Sequence, residues 1–290
     1  YIVESKLESF GGSADPKRIL KTFAPLVQKE LFKKGDVVQL VALFKDLAAQ
    51  KHIMAYSEIP AVQRLYTMAN ATSELSLGTL KNEDYLQVVS INLGGNKSDH
   101  YIEETIVHDT YLMSDGTLED EVTIEKRHTW NDEELTRWFN IVRSFGFEEI
   151  PSDIADVLGR GTNKVFVRLY VPEGAQLIRS NREVSLKNLN EGKPYFLTTM
   201  ETPAGEKSKL ILRYKLPFSA DFDPAGVYSL TVQKQMGGDG TRLLKRIFPH
   251  SALTPIRHAP GSGSVDKDGI LSYQTDLKTD RRFASLWQSK

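Results

Sequence analysis

The stretch Tyr101–Thr129, YIEETIVHDTYLMSDGTLEDEVTIEKRHT, decides how this chain folds. At its middle stands Ser114-Asp115-Gly116-Thr117. Asp-Gly supplies the positive backbone dihedrals of a type I′ turn, and apolar residues alternate with polar ones on both sides, so the segment reads as a β-hairpin. Ile102, Ile106 and Leu112 share one face on the way in, and Leu118, Val122 and Ile124 share it on the way out. Glu103, Glu104, Glu119, Glu121 and Glu125 also lie along the hairpin. Paired carboxylates can act as acid and base, but a solvated sheet face accounts for them without a cleft.

Upstream of the hairpin a strand is expected at Tyr85–Leu93, joined to it by the polar turn Gly94–His100. Before that the periodicity is helical. Asp15-Pro16 is a helix start, with a capping side chain and proline at the first helical position. Ile19, Leu20, Phe23, Leu26, Val27 and Leu31 follow, with Pro25 expected to kink or break the helix. Gly35-Asp36 ends that helix and caps a second, striped by Val37, Leu40, Val41, Phe44 and Leu47. Such stripes are expected to face a core. A short strand is expected at His52–Tyr56, and Pro60 opens a third helix bearing Val62, Leu65, Tyr66 and Met68. The polar, aperiodic stretch Ala71–Asp84 is the linker, and the boundary is placed at residue 78.

Downstream, Asn131–Ser144 reads as a helix with acidic residues at its amino end. Residues 131–163 are therefore read as an insertion between two sheet strands. Alternation resumes at Val165, Val167, Leu169 and Val171. Further strands are expected at Gln176–Ser180, Pro194–Thr202, Lys207–Leu216, Val227–Gln235 and Leu243–Phe248, with a last one at Ile270–Lys278. Pro260–Ser264 reads as a flexible connector. The expected fold class is α+β: a helical amino-terminal unit (1–78), then an antiparallel β-sandwich (79–290) with a helical insertion.

Composition excludes several classes. The 290 residues carry a net charge of −1 with both signs mixed along the chain, which is no footprint for nucleic acid. There is no cysteine, so disulfides, thiolate metal sites and thiol catalysis are all excluded. No apolar run is long enough to span a membrane, and no signal peptide is visible. Because the chain starts at Tyr1, it is read as a fragment or processed form.

No catalytic constellation emerges. The richest polar cluster is the turn Asn92-Leu93-Gly94-Gly95-Asn96-Lys97-Ser98-Asp99. Its glycines admit close backbone approach and Lys97 supplies charge, so Asn92, Asn96, Lys97 and Asp99 are the candidate ligand-binding residues. The competing reading is a strand connection shaped by its own side chains. The turn lacks the Gly-Lys-Ser/Thr ending of a phosphate loop. Asp266-Lys267-Asp268-Gly269 opens like a calcium loop but lacks the later ligands, and Asp221 and Asp223 are isolated. None of the six histidines has the spacing with which one helix offers two metal ligands. The hairpin geometry would allow His108 and His128 to face each other, but the expectation is that they are ordinary surface residues of the strands. No Gly-x-Ser-x-Gly elbow is present. No metal and no cofactor are expected.

Three segments together resemble one family: Lys51-His52-Ile53-Met54-Ala55-Tyr56-Ser57, Asp84–Tyr101 with its Asn-Leu-Gly-Gly-Asn-Lys-Ser-Asp run, and Val167–Ala175 containing Tyr-Val-Pro-Glu-Gly-Ala. The combination is similar to the carboxy-terminal half of the bacterial domain-of-unknown-function family numbered four-thousand-and-twelve, and Tyr228–Gln235 fits as well. The resemblance covers roughly Asp15 to Gln235. It implies an extracytoplasmic protein of the cell envelope, anchored by a membrane helix upstream, with a non-enzymatic part in adhesion, scaffolding or cell-wall assembly. Implied partners are cell-wall glycan or another envelope protein. A first alternative is an accessory part of a LytR-CpsA-Psr-like glycopolymer transferase whose catalytic residues lie upstream. A second is a carbohydrate-binding sandwich, for which Trp130, Trp138 and Trp287 are the aromatic candidates.

Overall fold

The structure, a computed structural model, describes residues 18–34, 36–72, 74–75, 82–144, 148–188, 193–238 and 240–290. After β1 (Asp84–Asn92), the expected hairpin forms as β2 (Ile102–Leu112) and β3 (Thr117–His128), with Leu112 opposite Leu118 and Ile102 opposite His128. The turn differs from the type I′ expected. Gly116 takes φ +79°, and no other residue of the turn has positive φ. Its N–H donates to Met113 O at 3.1 Å, while Met113 N–H donates to Thr117 O at 2.9 Å. That is a type I turn closed by a glycine bulge, the wider hairpin loop. Asp115 favours it, because its Oδ1 accepts from Thr117 N–H at 2.9 Å.

Eleven further strands follow: β4 (Asn163–Tyr170), β5 (Gln176–Ser180), β6 (Ser185–Lys187), β7 (Tyr195–Thr202), β8 (Lys207–Ser219), β9 (Ala225–Gln233), β10 (Arg242–Pro249), β11 (Leu253–Ala259), β12 (Ser264–Val265), β13 (Leu271–Asp276) and β14 (Arg281–Ser289). They build two seven-stranded sheets, ordered β11-β14-β9-β1-β4-β7-β6 and β12-β13-β10-β2-β3-β8-β5. One continuous apolar core includes residues of both, among them Leu86, Val167, Phe196, Leu230 and Trp287 from the first and Ile106, Val122, Leu210, Leu243 and Leu271 from the second.

Pairing is antiparallel except at one position in each sheet. There β1 lies parallel to β9, and β2 lies parallel to β10. Both parallel pairs join a strand from the first part of the β region to one from its last part. The fold is therefore two half-sandwich units, β1–β8 and β9–β14, sewn edge to edge along a seam that runs through both sheets. Local alternation cannot reveal this, because it sets which face a residue takes and not which strand lies beside it.

Sequence expectations fail at particular places. His52–Tyr56 is not a strand: Lys51 adopts φ +58°, and the N–H groups of His52 and Ile53 bond back to Leu47 O at 2.9 and 3.4 Å, so the segment is spent on closing a helix. Ile270–Lys278 is not the last strand, since β14 follows it and pairs with β9 and β11. Pro260–Ser264 is an ordered link between β11 and β12, with Gly263 against the Tyr273 ring.

The helices are α1 (Arg18–Lys34), α2 (Val37–Ala49), α3 (Pro60–Met68), α4 (Asp132–Arg143) and a short α5 (Ser152–Ala155). α1 continues through Pro25. Asp36 caps α2, accepting from Val38 N–H at 2.9 Å, and Asn131 caps α4 through Glu134 N–H at 3.0 Å. The helix start at Asp15-Pro16 and the boundary at residue 78 lie outside the described residues. α4 and α5 belong to the expected insertion between β3 and β4, where Trp130, Trp138 and Leu158 form a small separate core. The stripes of α1 and α2 do not face a core as expected. Phe23, Leu26, Val37, Val38, Val41 and Phe44 are all exposed, Val38 to 74%. Among the described residues no helix is long and apolar enough to cross a membrane.

Candidate functional site

Alternation on the hairpin places more than apolar side chains inside. Between Ile106 and Leu112 the inward positions are His108 and Thr110, and between Leu118 and Val122 the inward position is Asp120; all three polar residues are 0% exposed. Strands from both halves of the fold bring them partners. β1 contributes Asp84, β9 Tyr228, β10 Lys245 and β8 Tyr214, each buried.

These side chains form one network. Lys245, which stands opposite His108 in the parallel register, has its Nζ 2.8 Å from His108 Nδ1 and donates to Thr110 Oγ1 at 2.5 Å. The Thr110 hydroxyl donates to Asp120 Oδ1 and lies 2.9 Å from the Tyr228 hydroxyl. Tyr228 in turn donates to Asp84 Oδ2 at 2.6 Å, and Tyr85 N–H donates to Asp84 Oδ1 at 2.7 Å. Three buried atoms are left without a hydrogen bond: His108 Nε2, Asp120 Oδ2 and the Tyr214 hydroxyl.

The interior pushes every group toward its uncharged form. Burial raises the Asp84 carboxyl, and Lys245 and Tyr228 oppose that. Asp120 is raised well above the ordinary carboxylate range, first by burial and then by Asp84. His108 is lowered by burial and by Lys245. Lys245 falls to about 8 through burial, with Asp120 and Asp84 holding it up. Asp84, His108 and Asp120 each offer one ligand atom, all within 4.8 Å of one another. With no exposed member, the network is closed to any substrate in this conformation.

His108 and His128 do not face each other, and neither is the surface residue expected. Val122 is the partner of His108, Ile102 is the partner of His128, and both histidines are buried, at 0% and 1% exposure. The hairpin glutamates are surface ion pairs for the most part, such as Glu119 with Arg213 at 2.8 Å.

The turn Asn92–Asp99 is bound up in its own hydrogen bonds. Asn92 Nδ2 donates to Asp99 Oδ2 at 3.0 Å, and Gly94 N–H donates to Asn92 Oδ1 at 2.7 Å. Asn96 Oδ1 accepts from Ser98 Oγ at 2.6 Å, while its Nδ2 donates to Thr162 O at 3.1 Å. Asn163, at the start of β4, donates to Ser98 Oγ at 2.9 Å and to Asp99 Oδ1 at 2.7 Å. Asn92, Asn96 and Asp99 are thus brought together as a clasp between β1 and β4. Lys97 stands apart, with an exposed side chain and its backbone N–H donating to Val157 O at 2.9 Å.

Asp99 also borders an open cleft of about 380 Å³ between the sheets, floored by Val88 and Ile106. Its polar lining includes Lys126, paired with Glu104 at 2.9 Å, and Thr241, which donates to Glu104 Oε1 at 3.0 Å. Gln235 clamps Ser90 by accepting from its N–H at 2.8 Å and donating to its carbonyl at 3.0 Å. Gly237 and Gly238 expose backbone at the rim. The cleft can receive a small polar ligand. Trp130, Trp138 and Trp287 are 5%, 8% and 0% exposed, so none of the three offers a ring face to a sugar. In the loop resembling a calcium site, Asp266 Oδ1 accepts from the N–H groups of Asp268 and Ile270, each at 2.9 Å, which is turn chemistry.

No family model and no curated protein matches the chain. Solved structures with distant likeness include a protein from Legionella pneumophila subsp. pneumophila named for a conjectured nutrient-binding role, at 8% identity and a TM-score of 0.42 over 70% of each chain. Another is the Fcho1 Mu homology domain of Danio rerio with bound Eps15 peptide, at 10% identity and a TM-score of 0.17 over 65% of this chain and 79% of that one. Likeness at this level carries no functional argument.

Proposed function

We propose that this chain is an extracytoplasmic module of a bacterial envelope protein, a β-sandwich that works in scaffolding, adhesion or cell-wall assembly by contact and not by turnover. The observation that supports it is the exposed apolar face of α1 and α2. Leu26, Val37, Val38, Val41 and Phe44 are exposed, whereas the β region's own core is closed. Large apolar side chains exposed along successive helices are characteristic of surfaces that pack against another body. The occupant this reading commits to is a further folded domain of the same envelope protein, covering both helices. The resemblance carried by Lys51–Ser57, Asp84–Tyr101 and Val167–Ala175 supports the placement in the envelope.

Two measurements test it in the native host. A membrane-impermeant biotin reagent applied to intact cells should label the protein; labelling only after permeabilisation would overturn the placement. Val41→Asp with Phe44→Asp should leave the unfolding midpoint of the isolated chain unchanged and loosen the full-length protein, read as new protease sites in α1 and α2. An unchanged digestion pattern in the full-length protein would remove the proposed contact.

A further inference from the structure

We propose that Asp84, His108 and Asp120 hold one divalent transition-metal cation of the zinc class, an internal clamp that ties the two sheets together within the β1–β8 half, beside the seam. The inference is independent of the envelope reading, since it concerns the interior of the chain alone.

Two of the three donor atoms, His108 Nε2 and Asp120 Oδ2, are fully buried and lack any hydrogen-bond partner. An orphaned buried acceptor is costly, and native proteins rarely tolerate several at one point. His108 Nε2 lies 3.6 Å from Asp120 Oδ2 and 3.9 Å from Asp84 Oδ2. Those separations are too long for hydrogen bonds. They are close to the roughly 3.3–3.4 Å that separates ligand atoms around a tetrahedral ion bound at about 2.0–2.1 Å.

The surrounding bonds aim the donors. Thr110 occupies Asp120 Oδ1 and leaves Oδ2 turned toward the histidine. Tyr85 N–H occupies Asp84 Oδ1, and Tyr228 donates to Oδ2, whose second lone pair is the one offered to the ion. Lys245 Nζ, 2.8 Å from Nδ1, fixes the imidazole so that Nε2 points at the carboxylates. Outer contacts of this kind orient metal ligands in general. With a cation on Nε2 the ring hydrogen sits on Nδ1, so Lys245 accepts it as a free amine, and the lysine proton leaves on binding together with the proton shared by the two carboxyls.

One nitrogen and two carboxylate oxygens suit zinc, cobalt or manganese, whereas calcium requires six or more oxygens. Two carboxylates, one from each sheet, would then be tied to the same ion, with the strands β1 and β2 of both parallel pairs held together.

The site is sealed, so loading has to accompany folding. Tag-free protein is unfolded, stripped with chelator, and refolded in parallel with Zn2+, Co2+, Mn2+ or chelator alone. Native mass spectrometry should show one cation per chain for at least one metal, with a higher thermal midpoint than the chelated sample. Cobalt should add visible absorption bands of a nitrogen–oxygen site. His108→Gln and Asp120→Asn should abolish stoichiometric loading. Refolded wild-type chain that takes up none of the three metals, with the same midpoint as in chelator, would overturn the proposal and leave a proton shared by the carboxyls. Full loading of a folded His108→Gln variant would overturn it equally. If the variants fail to fold, the wild-type loading experiment decides alone.

Discussion

Replacing Lys245 by methionine removes a buried ammonium with little change of shape, and its cost should reveal how the interior network is balanced. In protein refolded with chelator, Lys245 Nζ bonds to His108 and Thr110 and sits in the field of Asp84 and Asp120. Hydrogen bonds to a charged group are worth about 1.5–3 kcal/mol each before the desolvation of the ammonium is recovered. Removing one partner of a buried charged group costs about 3–5 kcal/mol, because the opposite charge is stranded. A mere change of apolar shape would cost under about 1.5 kcal/mol. The expected loss at pH 7 is therefore about 3–5 kcal/mol, from urea unfolding followed by tryptophan fluorescence. Asp120→Asn removes one of the stranded charges. The double variant should consequently lose less than the sum of the single ones, with a coupling of at least about 1 kcal/mol. The sign with pH also follows. Without the ammonium, the folded carboxyls hold protons more tightly than unfolded ones do, so the variant regains stability as pH falls from 7 toward 5. A Lys245→Met loss below about 1.5 kcal/mol, or strictly additive losses, would refute the idea that charge organises this cluster.

Burial pushes Tyr273 up to about 12 and raises Tyr85, Tyr214 and Tyr228 as well, against an unfolded value of about 10. Stability is fully present below about pH 10 and is lost as pH rises toward about 12, so tyrosinate absorbance at about 295 nm should appear together with loss of the β circular-dichroism signal. Ionisation well before unfolding would contradict the burial of these phenols. Gly159→Ala should cost about 2–4 kcal/mol, because φ is +140° and the new methyl would stand 2.2 Å from a Tyr101 ring carbon; a melt within half a degree of wild type would count against that packing. Asn96→Ala should cost about 1–2 kcal/mol by cutting its bonds to Ser98 and Thr162, whereas Lys97→Ala should fall within about 0.5 kcal/mol. If Lys97→Ala weakens binding to cell-wall glycan at an unchanged midpoint, the turn is a contact site; unchanged binding leaves it a clasp.

The hairpin was legible because its two faces obey period two over both strands, and the β-rich class followed from the same alternation downstream. The α4 insertion was legible from the acidic residues at its amino end and the apolar side of Leu135, Trp138, Phe139 and Val142. The interior cluster was half legible. His108, Thr110 and Asp120 occupy inward positions of the very stripe that identified the hairpin, and extending that stripe through its polar members would have marked all three as buried. What alternation could not say is what meets them there. Tyr228 and Lys245 arrive on strands far away in sequence, β9 and β10, through parallel pairings that leave no local signature, and Asp84 meets the hairpin residues from β1 in the facing sheet. The helical stripes of α1 and α2 show the opposite limit: a 3.6-residue period says which side of a helix is apolar, but whether that side meets a core or water is set by what packs against it. The chain's own sequence thus determined which faces are apolar and where it turns, since those depend on neighbours a few residues away. Only the tertiary structure decided which strands lie side by side, and with that which charged groups share the dry space between the sheets.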